Sequence, residues 1–149
     1  MTTTNKEILK RKIALNKARS FLSFIKGVCD LELVECVGGD IDEYHKKIKG
    51  IYSYQREFTP KREVSLDEIN HEVTKWQCEC IDFIIGKEVF IEVNDFYFAT
   101  FKILDGLAFL ESVSLVKENN DLALFVRSPK GVLAFSDDEY TISFYEELI

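Results

Sequence analysis

The stretch EVFIEVNDFYFATFKIL, residues 88–104, decides the fold class because its side chains follow the two-residue period of β-strands. Val89, Ile91 and Val93 fall on one face of a first run, and a second, aromatic-rich run follows a turn that begins at Asn94. Two such runs joined by a short Asn-Asp turn are typical of a β-hairpin. This stretch therefore predicts an antiparallel sheet in the second half of the chain.

Three more strands are predicted after this hairpin. Asp105-Gly106 is a strong turn signal because glycine tolerates the positive φ that tight hairpins require. Connections this short permit antiparallel pairing only, since parallel pairs need a crossover of a dozen or more residues. The further strands are predicted at 107–116, 122–127 and 132–135, and the loops between them at 117–121 and 128–131.

Four places in the chain have a capping residue three positions before a glutamate, a pattern that starts helices. The capping residues are Thr4, Asp40, Ser65 and Ser136. After Ser65 the apolar residues recur at intervals of three and four up to residue 83, and Gly86 stands where a left-handed residue would end the helix. The sequence therefore predicts three helices before the sheet and one after it.

These elements place the chain in the α+β class. Its 149 residues fit one domain, 1–149, with a helical part at 1–86, an antiparallel meander of about five strands at 87–135 and a C-terminal helix at 136–149. In this interpretation Ser136 and Glu139 form a capping box, and Asp137 and Asp138 complement the positive end of the helix dipole.

Composition indicates a globular chain with an uneven charge. Hydrophobic residues make up 46% and charged residues 30%, which is enough apolar content for a core. The net charge of −7 hides an asymmetry: residues 1–75 have 14 Lys and Arg against 12 Asp and Glu, whereas residues 76–149 have 5 against 14. The chain begins with a basic segment and has no run of 18 apolar residues, so we predict a soluble, cytoplasmic protein that does not enter a membrane.

No complete catalytic or metal-binding motif is found. His71-Glu72 opens a metalloprotease motif, but Lys75 stands where the second histidine is required. The four cysteines are spaced C-x6-C and C-x-C, unlike structural zinc sites, and are predicted to be free thiols. We therefore predict a protein that is not an enzyme and that needs no metal or cofactor.

Two binding alternatives arise from the cations and the aromatic residues. The basic first helix could contact the phosphates of a nucleic acid, and the lysines at 46, 47 and 49 would extend its patch if the second helix lay beside the first. A small ligand could instead be enclosed among four aromatic rings in a sensory or regulatory domain. These rings are Trp76, Phe90, Phe98 and Phe101.

The acidic sheet suggests a protein partner. Carboxylates beside an aromatic anchor are suited to a basic surface, such as that of a nuclease, although the same acids would also keep an aromatic-rich sheet soluble. The predicted partner-binding residues are Glu92, Asp95, Tyr97, Glu111, Asp121, Asp137 and Asp138.

The predicted architecture resembles that of bacterial immunity proteins of contact-dependent and polymorphic toxin systems. The resemblance rests on N-terminal helices, the acidic meander EVFIEVNDFYFATFKILDGLAFLES and the closing segment SDDEYTISFYEELI. It implies a protein that neutralises a cognate toxin by stoichiometric binding. It includes no diagnostic motif, so no binding residue is carried over from the family.

Overall fold

A computed structural model describes residues 4–36, 39, 41–53, 57–70, 72–116 and 121–149. These residues form an α+β fold of four α-helices and seven strands. The elements in chain order are α1 (Asn5–Phe24), β1 (Val28–Glu35), α2 (Asp42–Tyr52), β2 (Arg62–Ser65), α3 (Val73–Ile81), β3 (Glu88–Glu92), β4 (Tyr97–Ile103), α4 (Gly106–Ser114), β5 (Leu122–Arg127), β6 (Lys130–Asp137) and β7 (Thr141–Leu148).

The seven strands form one sheet in the order β1-β4-β3-β5-β6-β7-β2. Every pair of neighbours is antiparallel. Short connections predict this for the pairs β3–β4, β5–β6 and β6–β7, whereas the other three pairs join strands that are far apart in the sequence. The predicted hairpin becomes β3 and β4, and β5, β6 and β7 form a meander beside it. The two N-terminal strands, β1 and β2, are the edges of the sheet.

Helices cover both faces of the sheet. On one face, α1, α3 and α4 pack over the larger core, which includes Trp76, Phe101 and Phe109. On the other face, α2 covers a second core, in which Tyr44 contacts the rings of Phe90 and Phe125 with centroids 5.1 Å apart. The sheet therefore separates two apolar layers. None of the helices in the described ranges is long and apolar enough to cross a lipid bilayer.

The first helix begins as its sequence predicts. The side chain of Thr4 accepts a hydrogen bond from the Glu7 N–H at 3.2 Å, so it caps α1. Gly27 follows the helix with a φ of 70°, and its carbonyl accepts the N–H groups of Leu104 and Asp105. Glycine is favoured at this position because its φ lies in the left-handed region.

The predicted C-terminal helix is wrong. Residues 136–149 form the end of β6, a turn and β7, so Ser136 and Asp137 lie in a strand instead of a helix cap. The side chain of Asp138 accepts the N–H groups of Tyr140 and Thr141, each at 2.8 Å, and thereby fixes the turn. The closing segment pairs with β6 because its buried residues alternate between the two covered faces of the sheet.

Three other predictions also change. Residues 107–116, predicted as a strand, lie largely in α4, whose N-terminus is capped by Asp105. The helix predicted from Ser65 starts only at Val73, because Ser65 ends β2 and a turn follows in which Asn70 has a φ of 51°. The strands β1 and β2 were not predicted, β7 replaces the predicted C-terminal helix, and 107–116 is not a strand, so the sheet has seven strands instead of five.

Some sequence predictions lie outside the described residues. These are the Asp40 cap, His71 and residues 117–120 of the loop predicted at 117–121.

Candidate functional site: the acidic end of the sheet

The strand register brings five of the predicted partner-binding residues to the same end of the sheet. Phe90 pairs with Phe125 in antiparallel register, so the C-terminal end of β3 lies beside the start of β5. Leu122 at the start of β5 pairs with Phe135 near the end of β6. This end therefore gathers Glu92, Asp95, Asp121, Asp137 and Asp138.

Two further carboxylates join this end, and sequence reasoning did not assign them to a site. Glu35 is the last residue of β1 and pairs with Tyr97 at the start of β4. Glu139 is exposed in the turn between β6 and β7. Glu35 was missed because β1 itself was not predicted. We call the whole group the acidic end, which consists of Glu35, Glu92, Asp95, Asp121, Asp137, Asp138 and Glu139.

One part of the acidic end surrounds Cys36. Its N–H donates to the carbonyl of Phe96 at 2.8 Å, which holds Cys36 beside the turn that contains Asp95. Burial raises the pKa of the Cys36 thiol, and the negative charges of Glu92 and Asp95 raise it further. The Glu92 carboxylate also contacts the Nε2 atom of His45 in α2. The thiol is thus kept in its neutral, less nucleophilic form.

The other part of the acidic end lies near the hydroxyl of Tyr52. Asp121 accepts a hydrogen bond from the Asp137 N–H at 3.2 Å, which links the start of β5 to the end of β6. The Tyr52 hydroxyl donates to the carbonyl of Phe135 at 2.7 Å. Burial of this hydroxyl is the main cause that raises the Tyr52 pKa, and Asp121 is the next. Tyr52 therefore remains a neutral hydrogen-bond donor at the rim of the acidic end.

Tyr97 and Glu111 do not belong to this exposed group. Tyr97 is only 9% exposed and packs against Ala14 and Ala18 of α1, so its ring is part of the interior instead of an accessible anchor. Glu111 is exposed on α4, because its segment is a helix on one face of the sheet and not a strand. Five of the seven predicted residues are thus brought together and two are not.

The aromatic pocket predicted for a small ligand does not form. Trp76 and Phe101 belong to the core on the α3 side of the sheet, whereas Phe90 and Phe98 belong to the core under α2. The Phe90 and Phe98 rings pack directly on each other with centroids 5.1 Å apart. The sheet separates the two pairs, so the four rings cannot enclose one ligand.

The extended basic patch does not form either. The helix α1 lies with α3 and α4, whereas α2, which carries the lysines at 46, 47 and 49, covers the opposite face. The exposed N-terminal half of α1 has four cations, but one of them, Arg11, stacks over the Phe96 ring with its guanidinium 5.1 Å from the centroid. A long polyanion approaching here would also meet the carboxylates of the acidic end.

All four cysteines are free thiols, and burial raises the pKa of Cys80 to about 11. In the part of the chain that the structure describes, no three His, Cys, Asp or Glu side chains are grouped to hold a metal ion. Comparisons with protein-family models, with curated proteins and with solved structures give no match.

Proposed function

We propose that this chain is a non-enzymatic binding protein of the immunity or antitoxin type, which neutralises a basic, nuclease-like toxin by direct contact through its acidic end. The observation that supports this proposal is the convergence of carboxylates from four strand ends, those of β1, β3, β5 and β6, and from two turns. A concentrated negative patch steers a cationic partner and raises its association rate.

The geometry also favours a preformed surface. Asp138 is held by the N–H groups of its own turn, and Asp121 is held by the Asp137 N–H. Carboxylates fixed in this way lose little conformational entropy on binding. A rigid acidic surface that covers the active site of a toxin would inhibit it without any chemistry by the inhibitor.

The test compares two triple variants that remove the same charge from different places. The first, Glu92→Gln, Asp95→Asn and Glu139→Gln, removes three charges from the acidic end. The control, Glu79→Gln, Glu88→Gln and Glu111→Gln, removes three charges from α3, from the opposite end of β3 and from α4.

We expect the acidic-end variant to bind a partner captured from the source cells with an association rate constant about tenfold lower at low salt. The control variant should bind as the unmodified protein does, and the unmodified protein should inhibit the partner's activity at one-to-one stoichiometry. Equal association rates for both variants, or binding without inhibition, would contradict the proposal.

A further inference from the structure

The strand β1 leaves backbone groups open at the edge nearest the acidic end. The Cys36 N–H points into the sheet, because it donates to Phe96. Successive residues of a strand alternate in direction, so the N–H and C=O groups of Glu35 and Leu33 point away from β4. Among the described residues, none forms a hydrogen bond with these outward groups. They form the template for one more strand.

A bulge limits this template to the C-terminal half of β1. Cys29 pairs with Lys102 and Glu32 pairs with Thr100, so two residues of β1 oppose Phe101 alone. Asp30, one of the two, has a φ of 56°. A bulge of this kind twists an edge and interrupts its pairing. The regular part of the edge is therefore the four residues Glu32, Leu33, Val34 and Glu35.

The charge of β1 selects the kind of strand that can pair with it. Its acids, Asp30, Glu32 and Glu35, are accompanied by no Lys or Arg within the strand. A second copy of β1 would bring like charges together, which is destabilising across a strand pair. A cationic segment would instead form favourable pairs. The edge is thus protected against self-association but open to a basic partner.

The order of these four residues also predicts the partner's sequence pattern. Side chains directly opposite each other in a sheet lie on the same face and contact each other. The acids stand at the two ends of the template and the apolar residues stand between them. The complementary order is basic, apolar, apolar, basic, and it is the same in either strand direction.

We propose that the outer edge of β1 binds an extended segment of the partner with the pattern basic-apolar-apolar-basic, which adds to the sheet as an eighth strand. This inference rests on the proposed function, because it specifies how the basic partner engages the corner of the acidic end at Glu35. Main-chain hydrogen bonds supply affinity in this mode, and the side-chain pairs supply specificity.

The test uses the capped synthetic peptide Thr-Lys-Val-Val-Lys-Thr. We expect it to slow hydrogen exchange at the amides of Leu33 and Glu35, which face the open edge, and to leave Val34, which faces β4, unchanged. A peptide of the same composition with the order Val-Lys-Lys-Val should bind about tenfold more weakly. Unchanged exchange at Leu33 and Glu35 under saturating peptide would overturn the inference.

Two N-methylated peptides separate strand addition from charge attraction alone. One peptide is methylated at its odd-numbered residues and the other at its even-numbered residues. Both peptides keep the two lysines, but only one of them loses the N–H groups that face β1. We expect one phase to lose about tenfold or more in affinity, the equivalent of two hydrogen bonds, and the other to bind like the parent. Equal affinity for both phases would overturn strand addition.

A variant pair on the protein side provides a second measurement. Glu35→Pro and Glu35→Ala both remove the charge, but only the proline removes the outward N–H. The proline variant should bind the peptide at least fivefold more weakly than the alanine variant. If both bind the captured partner equally while the acidic-end triple variant does not, the proposed function stands and strand addition fails.

Discussion

The side chain of Asn94 forms three hydrogen bonds, two within the turn of the β3–β4 hairpin and one to α1. Its side-chain amide donates to the carbonyl of Ala14 at 3.0 Å, and its side-chain oxygen accepts the N–H groups of Phe96 and Tyr97 at 3.0 and 3.1 Å. One residue therefore holds the turn that carries Asp95 and fixes its position relative to α1. The acidic end depends on this residue for its geometry.

We expect Asn94→Ala to lower the free energy of unfolding by about 2 kcal/mol, because it leaves the partly buried N–H groups of Phe96 and Tyr97 without their acceptor and the Ala14 carbonyl without its second donor. Asn94→Asp keeps the acceptor but loses the donor to Ala14, so its loss should be smaller, about 1 kcal/mol. Urea unfolding followed by circular dichroism measures both. An alanine variant as stable as the unmodified protein would show that the turn holds itself.

At the scale of elements, two glycines with positive φ offer a matched comparison. Gly27 ends α1 with a φ of 70°, and Gly86 precedes β3 with a φ of 83°. A Cβ on Gly27 would overlap the carbonyl oxygen of Asp105 and lie 3.0 Å from the Phe109 nitrogen, whereas a Cβ on Gly86 would meet nothing within 4 Å.

Gly86→Ala should therefore cost only the strain of a left-handed alanine, about 1–2 kcal/mol. Gly27→Ala should cost at least about 2 kcal/mol more, because the start of α4 must shift away from the end of α1. The difference between their urea midpoints tests this expectation. Equal losses would mean that the connection between α1 and α4 adapts freely.

The elements that sequence predicted well are those whose start or turn is determined locally. Thr4 caps α1 by itself, and the Asn94 turn closes β3 and β4 through its own side chain. The predicted strand at 122–127 matches β5 because the segment is a short apolar run between a polar loop and a turn. An element can be predicted from its own sequence where residues close in the chain supply the hydrogen-bond partners of its turn or cap.

The wrong predictions come from patterns that suit more than one structure. In α4, Phe109, Leu110 and Val113 have helical spacing, but Leu107 and Phe109 also alternate like a strand. In β7 the local signal of Ser136 and Glu139 favoured a helix, whereas pairing with β6 made the segment a strand. Pairing with β6 decided the case of β7, and a local pattern does not contain that pairing. In the case of α4 the local cap at Asp105 was interpreted as a hairpin turn.

The candidate site, too, could be predicted only in those features that do not depend on contacts between distant residues. Sequence identified the acids of the second half of the chain, including Glu92, Asp121 and Asp137, as partner residues. Their convergence required the register of β3, β5 and β6, which no spacing in the chain reveals. Tyr97 does not join them, because α1 covers its face of β4, a contact between distant parts of the sequence.

At the scale of the whole molecule, the two apolar layers share one sheet and should therefore unfold together. Phe90 on the α2 side and Phe101 on the α3 side are each 1% exposed and lie on the paired strands β3 and β4. The only tryptophan, Trp76, lies on the α3 side, where its ring faces Phe135 with centroids 6.1 Å apart. Its fluorescence reports the unfolding of that layer.

We expect Phe90→Leu to lower the free energy of unfolding by about 1–1.5 kcal/mol and to shift the Trp76 fluorescence midpoint as much as the circular dichroism midpoint. Phe101→Leu, on the tryptophan's own side, is the matched control and should behave in the same way. The coupling follows because loss of the α2 layer would expose one face of the strands that support the other layer. If Phe90→Leu shifted the circular dichroism midpoint but not the Trp76 fluorescence midpoint, the layer under α2 would unfold separately. Because His45 of α2 contacts Glu92, the acidic end would then not be the rigid surface that the proposed function requires.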